Sequence, residues 1–445
     1  MARAEREPQL EDAEDAVIDG DVPVTSRRAF GALSSHDFRV VWTGTLSSNV
    51  GTWMQTVALG AFIYDLTHSA AFVALITFAQ LGPILPLSPL GGVLADRLDR
   101  RRLLIVMQSE QLVFSFVLAL VAASSHPSRW ALFAATLGVG LGNALSGAPL
   151  ASLLPNLVER DDLPGAIALQ SVQMNLSRVV GPAIGGVLLP FIHPDGIFAV
   201  NAVTYLFAVI GLLLVQRRTP PLGSSGLRAL QQLGAGFAVA KRDPLVRTVL
   251  LTVTAVSFFC LPFIGLMPVI AARNLHMDVK GAAYGFLYAV FGFGATLGAW
   301  LVGTVFATRP RLATVRAGLA CFSISLIVFA LLRSAAPSYL AVFVVGLTYF
   351  LVITSLSTTL QEHLEDDIRG RVMALWVMGF GGTVPIGLLA AGQLTHYITV
   401  GQLVIGGGVI ALVLAAVVHP HPGRVPWARA RRRRRSRAPL RGGGD

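Results

Sequence analysis

Two charged residues stand deep inside long apolar runs of this 445-residue sequence. Glu110 lies about two helical turns into a run that begins at Leu103, and Arg178 about three and a half turns into one that begins at Ala166. A charge at such depth in lipid is costly, so each is a functional hypothesis by default. Glu110 is suited to carrying a proton, because a carboxyl group in an apolar layer is stable in its neutral form; a snorkelling or arginine-paired structural carboxylate is the alternative. Arg178 is suited to gating, to binding an anionic group, or to pairing with a carboxylate that fixes its helix. Other chemistries have no residues to carry them. A phosphate-cradling loop needs Gly-Lys-Ser or Gly-Lys-Thr, yet the two lysines, Lys241 and Lys280, follow Ala240 and Val279. No nucleophile stands with a base, no metal ligands are spaced for a site, and His363 and His396 read as interfacial residues. Cys260 and Cys321 fall in apolar runs and read as small apolar residues, so no disulfide, metal, cofactor or enzyme activity is expected.

The elements that position Glu110 and Arg178 follow from hydropathy. Hydrophobic residues make up 54% of the chain and charged ones 13%, about half the charge of a soluble domain; the mean hydropathy is +0.66. Runs of about 20 apolar residues predict spans over Val40–Leu66, Ala70–Ala95, Leu103–Ala123, Trp130–Leu154, Ala166–Pro190 and Ile197–Val215. After a polar break, Leu245–Ala271, Gly281–Val305, Ala313–Leu332, Tyr339–Leu360, Val372–Leu394 and Val400–Val418 follow. The expected architecture is an all-α membrane protein with twelve transmembrane helices in two six-helix bundles. Its parts are a polar N-terminal segment (1–37), the first bundle (38–216), a linker (217–244), the second bundle (245–420) and an Arg-rich tail (421–445). The N-terminus, Glu5 through Asp21, is acidic and lacks the order of a secretory signal, so no cleavage is expected.

Arginine placement orients the chain, since basic residues in short loops stay cytoplasmic. Arg97, Arg100, Arg101, Arg102, Arg160, Arg309, Arg311, Arg369 and Arg371 fall in one set of loops, whereas Arg129, Arg273, Lys280 and Arg333 fall in the other. Both termini and the linker are therefore expected in the cytoplasm, with the protein in the cytoplasmic (plasma) membrane of a bacterium. Leu227, Leu230, Leu233 and Phe237 in the linker recur near helical spacing and predict an amphipathic helix on the membrane surface. Much of the formal charge of +11 sits in the tail, at Arg424, Arg429, Arg431 to Arg435, Arg437 and Arg441. Such a run is expected to bind anionic lipid headgroups, and without aromatic interleaving or a folded module it does not read as a nucleic-acid site.

Displacing the chain by 206 residues sets Gly92 on Gly298, Gly140 on Gly346, Glu159 on Glu365, Asp161 on Asp367, Ala168 on Ala374 and Gly186 on Gly392. The two acidic pairs both lie between the fourth and fifth spans of each half. A duplication of six spans is the expected origin, and parallel repeats around a midplane site describe one large class of secondary transporter.

Between spans 2 and 3 runs Gly91-Gly92-Val93-Leu94-Ala95-Asp96-Arg97-Leu98-Asp99-Arg100-Arg101-Arg102. Arginines at a cytoplasmic helix end are ordinary topology determinants, but an Asp four residues after a Gly at the membrane boundary asks for more. The loop resembles that of the major facilitator superfamily, Gly-x-x-x-Asp-Arg-x-Gly-Arg-Arg: Gly92, Asp96, Arg97, Arg100 and Arg101 match, and Asp99 stands where the pattern has Gly. The likeness covers residues 30–420. Within the superfamily the chain is most similar to the branch of enterobactin exporters and macrolide efflux proteins, through Phe38-Arg39, Ser48 to Gln55, and Gly181-Pro182-Ala183-Ile184-Gly185-Gly186. The last run resembles the Gly-Pro-x-x-Gly-Gly of drug:proton antiporters and implies export; plain helix packing by its glycines is the alternative. Gly379, Gly381, Gly382, Pro385 and Gly387 form a counterpart in span 11. The resemblance further implies a conformational-switch role for the Asp96 loop and an interface between halves formed by spans 2, 5, 8 and 11. Its antiporters usually carry an Arg early in span 4, which Leu137 to Ala144 lacks.

The expected function is secondary export of small hydrophobic or amphipathic molecules, drug-like or siderophore-like, by alternating access with proton coupling. An uptake carrier of the same fold and a non-transporting membrane sensor or scaffold are the rivals. Cavity candidates are Asn49, Trp53 and Gln55 in span 1, Asn143 in span 4, Phe258 and Phe259 in span 7 and Tyr349 in span 10. The chain is expected to act as a monomer.

Overall fold

The computed structural model describes residues 30–216 and 227–418, and among these every regular element is helical. Ten of its helical segments are long and apolar enough to cross a membrane. The acidic N-terminal stretch, Arg217 and Arg218 of the linker, and the Arg-rich tail lie outside the described residues.

With the segments numbered as hydropathy predicts them, the one expected as span 1 is α1, His36–Thr67, a 32-residue helix capped by Ser35 that is not among those ten. Its Thr45, Ser48 and Gln55 side chains are buried. Span 2 is broken into α2 (Ala70–Leu81) and α3 (Ile84–Arg97) at Gly82-Pro83, where the proline ring removes a backbone donor. Spans 3 and 4 are α4 (Arg100–Ala122) and α5 (Arg129–Leu157). Spans 5 and 6, expected to be separated by residues 191–196, run together as α6, Leu163–Leu213, which reverses at His193 (φ 52, ψ 170) between Pro190 and Pro194. The 54 residues of Arg160–Leu213 would reach about 80 Å as one straight helix, against a hydrocarbon core of about 30 Å.

The linker helix α7 (Leu227–Arg242) is present as expected but docks on α14 (Asp366–Val377), where a Cβ on Gly236 would lie 2.7 Å from the Arg371 carbonyl. Span 7 is interrupted: α8 (Pro244–Ala255), a π-helical turn Val256–Cys260, α9 (Pro262–Gly265) and α10 (Met267–Arg273). Asp243 caps α8, accepting from the Leu245 and Val246 amides at 2.8 and 3.2 Å and meeting His363 at 2.7 Å. Burial would raise its carboxyl, but the His363 bond and the two amides hold it below the usual carboxylate range. Spans 8, 9 and 10 are α11 (Ala282–Gly303), α12 (Arg311–Leu331) and α13 (Ala335–His363). Span 11 is α14, a second π-helical turn Met378–Gly382 and α15 (Thr383–Leu394), and span 12 is α16 (Val400–Val417). Glu159 and Glu365, aligned by the 206-residue displacement, each precede a helix in an extended conformation (φ −76, ψ 158; φ −69, ψ 152), as most helix N-caps of this chain do.

The N-terminal helices pack chiefly on one another, α1 on α6 and α4 on α5 and α6, and the C-terminal ones do likewise. Between the two groups, α2 meets α15 and α6 meets α11, so spans 2, 5, 8 and 11 do form the contact. At one end of it Arg273 donates to the Tyr64 hydroxyl (3.0 Å) and the His68 carbonyl (3.1 Å), and Lys280 pairs with Asp65 at 2.8 Å.

Candidate transport site

The two groups of helices touch most closely at glycines. A Cβ on Gly181 would sit 2.6 Å from both the Trp53 Cβ and the Val50 carbonyl, and one on Gly185 would sit 2.9 Å from Met54 Cγ, so both seat α6 against α1. Gly186 faces the other way: its Cβ would be 2.5 Å from the Gly285 Cα of α11. Pro182, fully inside α6, belongs to the same contact through its carbonyl, 3.0 Å from where a Gly285 Cβ would stand. The glycines permit close backbone approach, Gly181 and Gly185 within the N-terminal helices and Gly186 across to the C-terminal helices.

One turn away on the same helix stands Arg178. A Cβ on Gly292 of α11 would lie 2.7 Å from the Arg178 carbonyl, so its backbone is seated at the contact between the groups. Its guanidinium carbon is 5.8 Å from the Trp53 ring centre and 5.1 Å from that of Phe350, bringing α1, α6 and α13 to one point. Of the roles open to it, carboxylate pairing does not occur here: no Asp or Glu pairs with Arg178 among the described residues. Tyr349, whose ring packs 5.2 Å from Phe350 and 5.7 Å from Phe322, is 2% exposed, and its hydroxyl has no hydrogen-bond partner among the described residues. Sequence reading proposed Trp53, Arg178 and Tyr349 separately; the fold gathers them.

Glu110 lies elsewhere, within the N-terminal helices. A Cβ on Gly142 of α5 would overlap its carboxylate, so that glycine makes the room. Glu110 Oε2 is buried without a hydrogen-bond partner among the described residues, and no ion pair reaches it there. Beside it runs a polar network that the sequence reading missed. Gln55 Oε1 accepts from Ser115 (2.6 Å) and from the Asn201 amide (2.8 Å), Thr204 donates to Asn201 Oδ1 (2.9 Å), and Thr52 and the Tyr205 hydroxyl meet at 2.9 Å. Asn201 and Ser115 inside apolar runs were the available signal. Gln55, expected in the cavity, is fully buried in this network instead.

The remaining cavity candidates are dispersed. Asn143 on α5 is exposed and Asn49 half-buried. Phe258 and Phe259 stack edge-on at 4.8 Å on the first π turn, with Phe259 47% exposed. A surface groove of about 330 Å³ between α1 and α6, lined by residues such as Thr43, Ser47 and Phe207, is separate from Arg178.

In the loop after span 2, Asp99 accepts from the Arg102 amide at 3.0 Å and caps α4 in an extended conformation (φ −61, ψ 115), so the turn does not need a glycine there. Arg100 is buried and donates to the Ser152 carbonyl at 3.1 Å, and Arg101 donates to the Leu212 and Leu213 carbonyls at 2.7 and 2.6 Å. Both guanidiniums satisfy carbonyls near helix C-termini, where a cation is favoured. Asp96 is half-buried and Arg97 exposed. Nothing lies within 4 Å of a Gly92 Cβ, whereas Gly91 faces the Leu145 backbone.

The transmembrane secretion effector family model matches residues 27–438. Curated relatives include the staphyloferrin A transporter of Staphylococcus aureus, 24% identical over 76% of this chain and 85% of its own. The macrolide efflux protein A of Streptococcus pyogenes is 22% identical over 85% and 94%, and the enterobactin exporter EntS of Escherichia coli O1:K1 is 28% identical over 77% and 82%. Among solved structures, the POT family transporter PepTSo superposes with a TM-score of 0.69 at 13% identity, covering 90% of this chain and 99% of its own. A bacterial homologue of the lysosomal transporter Spinster gives 0.67 at 17%, covering 88% and 97%. A helical membrane chain matched by that family model over nearly its whole length belongs to the transmembrane secretion effectors, transporters of the major facilitator superfamily.

Proposed function

We propose that the protein exports small hydrophobic or amphipathic molecules across the bacterial cytoplasmic membrane by alternating access. In this reading the chain crosses the membrane twelve times, with both termini and the linker in the cytoplasm, and residues 38–216 rock against residues 245–420. The observation that carries it is Arg178, seated where the two groups of helices meet and flanked by Trp53 and Phe350. An apolar site with a few polar groups suits such ligands better than sugars. The relatives named for enterobactin export and macrolide efflux support the direction. The Arg273, Tyr64, His68 and Lys280–Asp65 contacts close one end of the path; by the arginine bias that end is the outer one. The test is a transport screen in proteoliposomes with and without a proton gradient, scored for direction. Net accumulation on the cytoplasmic side would replace export by uptake.

The loop after span 2 is proposed to hold one conformation of this cycle through Asp96. Asp96→Asn is expected to lower transport several-fold while membrane insertion and yield stay normal; wild-type flux from this variant would remove the role.

A further inference from the structure

We infer that the exported molecule carries an anionic group on a flat apolar body, and that Arg178 receives that group. This rests on the export reading above and narrows it. A guanidinium cannot shed its proton under physiological conditions, so a positive charge is fixed at the meeting point of α1, α6, α11 and α13. No carboxylate neutralises it among the described residues. Trp53 and Phe350 approach the guanidinium at 5.8 and 5.1 Å and replace part of its lost hydration through their π faces. Rings attract a cation but accept no hydrogen bonds from its five N–H groups, which lie in the guanidinium plane and match a carboxylate or similar oxyanion in bidentate geometry.

A second group points to the same ligand chemistry. Tyr349 is 2% exposed, its hydroxyl has no partner among the described residues, and it lies within electrostatic range of Arg178. A buried hydroxyl is seldom left unpaired, and as a donor it would reinforce an oxyanion held by Arg178. Glu110, the acidic residue deep in the spans, sits behind Gly142 inside the N-terminal helices and leaves the Arg178 site positive. A cationic amphiphile would meet this charge in a poorly screened setting and be rejected. The site therefore selects by charge sign as well as by apolar bulk.

The experiment uses the full chain in nanodiscs and three probes sharing one body: 4-(1-pyrenyl)butanoate, its uncharged methyl ester, and a pyrenylbutyl trimethylammonium. Binding is read as energy transfer from protein tryptophan to pyrene, corrected against protein-free nanodiscs, and efflux is measured in proteoliposomes. The wild type is expected to bind the anion about tenfold more tightly than the ester, the scale of one charge-assisted hydrogen bond, and the cation more weakly than either. Arg178→Gln should abolish that preference by weakening anion binding about tenfold, Arg178→Lys should keep most of it, and Tyr349→Phe should lower it about threefold. Equal binding of anion and ester by the wild type, or equal loss of both in Arg178→Gln, overturns the inference. Efflux without charge preference would defeat it and leave the export reading standing. Should no probe bind or move, both are lost together. Should Arg178→Gln fail to fold, the wild-type comparison of the three probes and the Arg178→Lys variant decide the matter.

Discussion

Gly186→Val is expected to abolish transport while the chain still inserts into the membrane. A Cβ at that position would lie 2.5 Å from the Gly285 Cα and 3.1 Å from the Ala282 carbonyl, both backbone atoms of α11 that cannot rotate aside. The two helices must separate, and the separation is imposed at the contact that carries Arg178 two turns earlier. Overpacking a tight site costs about 1–3 kcal/mol, enough to bias a transporter whose alternating states differ by a few kcal/mol at most. Valine adds branching at the same carbon, so its effect should exceed that of alanine. Gly147 and Gly406 provide the comparison, since nothing lies within 4 Å of their Cβ positions; Ala at either should leave flux within about twofold. Flux measured in proteoliposomes beside thermal stability checks this, and a Gly186→Val protein with wild-type flux would show that the glycine contact is dispensable.

Glu110→Gln is expected to remove transport driven by a pH gradient and to spare substrate exchange at equal pH. The substitution keeps the side chain's size in the room made by Gly142 and removes only the ability to exchange a proton. Loss of a coupling carboxylate typically costs far more than tenfold in gradient-driven flux, because coupling needs the proton at every cycle, while exchange needs the substrate site alone. Gradient-driven flux unchanged by Glu110→Gln would return this residue to a structural role.

Much of the fold was legible because the signal is local. A span is defined by about 20 consecutive apolar residues, so predictions such as Val400–Val418 and Ala313–Leu332 fall within a residue or two of the helices observed, Val400–Val417 and Arg311–Leu331. Interruptions were less legible. The π turns at Val256–Cys260 and Met378–Gly382 depend on how spans 7 and 11 pack, with Gly387 accommodating the Phe258 carbonyl. The break at His193, by contrast, falls within residues 191–196 as the flanking Pro190 and Pro194 predict.

The amino-acid sequence by itself determined that this is a polytopic membrane protein and that Glu110 and Arg178 are the charges deep in its apolar runs. It also determined the resemblance carried by Gly92, Asp96, Arg97, Arg100 and Arg101. Which way each polar residue faces was decided only by the tertiary structure. A helix buried on several sides has no single polar face to read, and contacts such as Gln55 with Asn201, or Arg178 with Phe350, join residues more than a hundred positions apart. That is why Gln55 joins the polar network, and why Trp53 and Phe350 come together on Arg178 only in the fold.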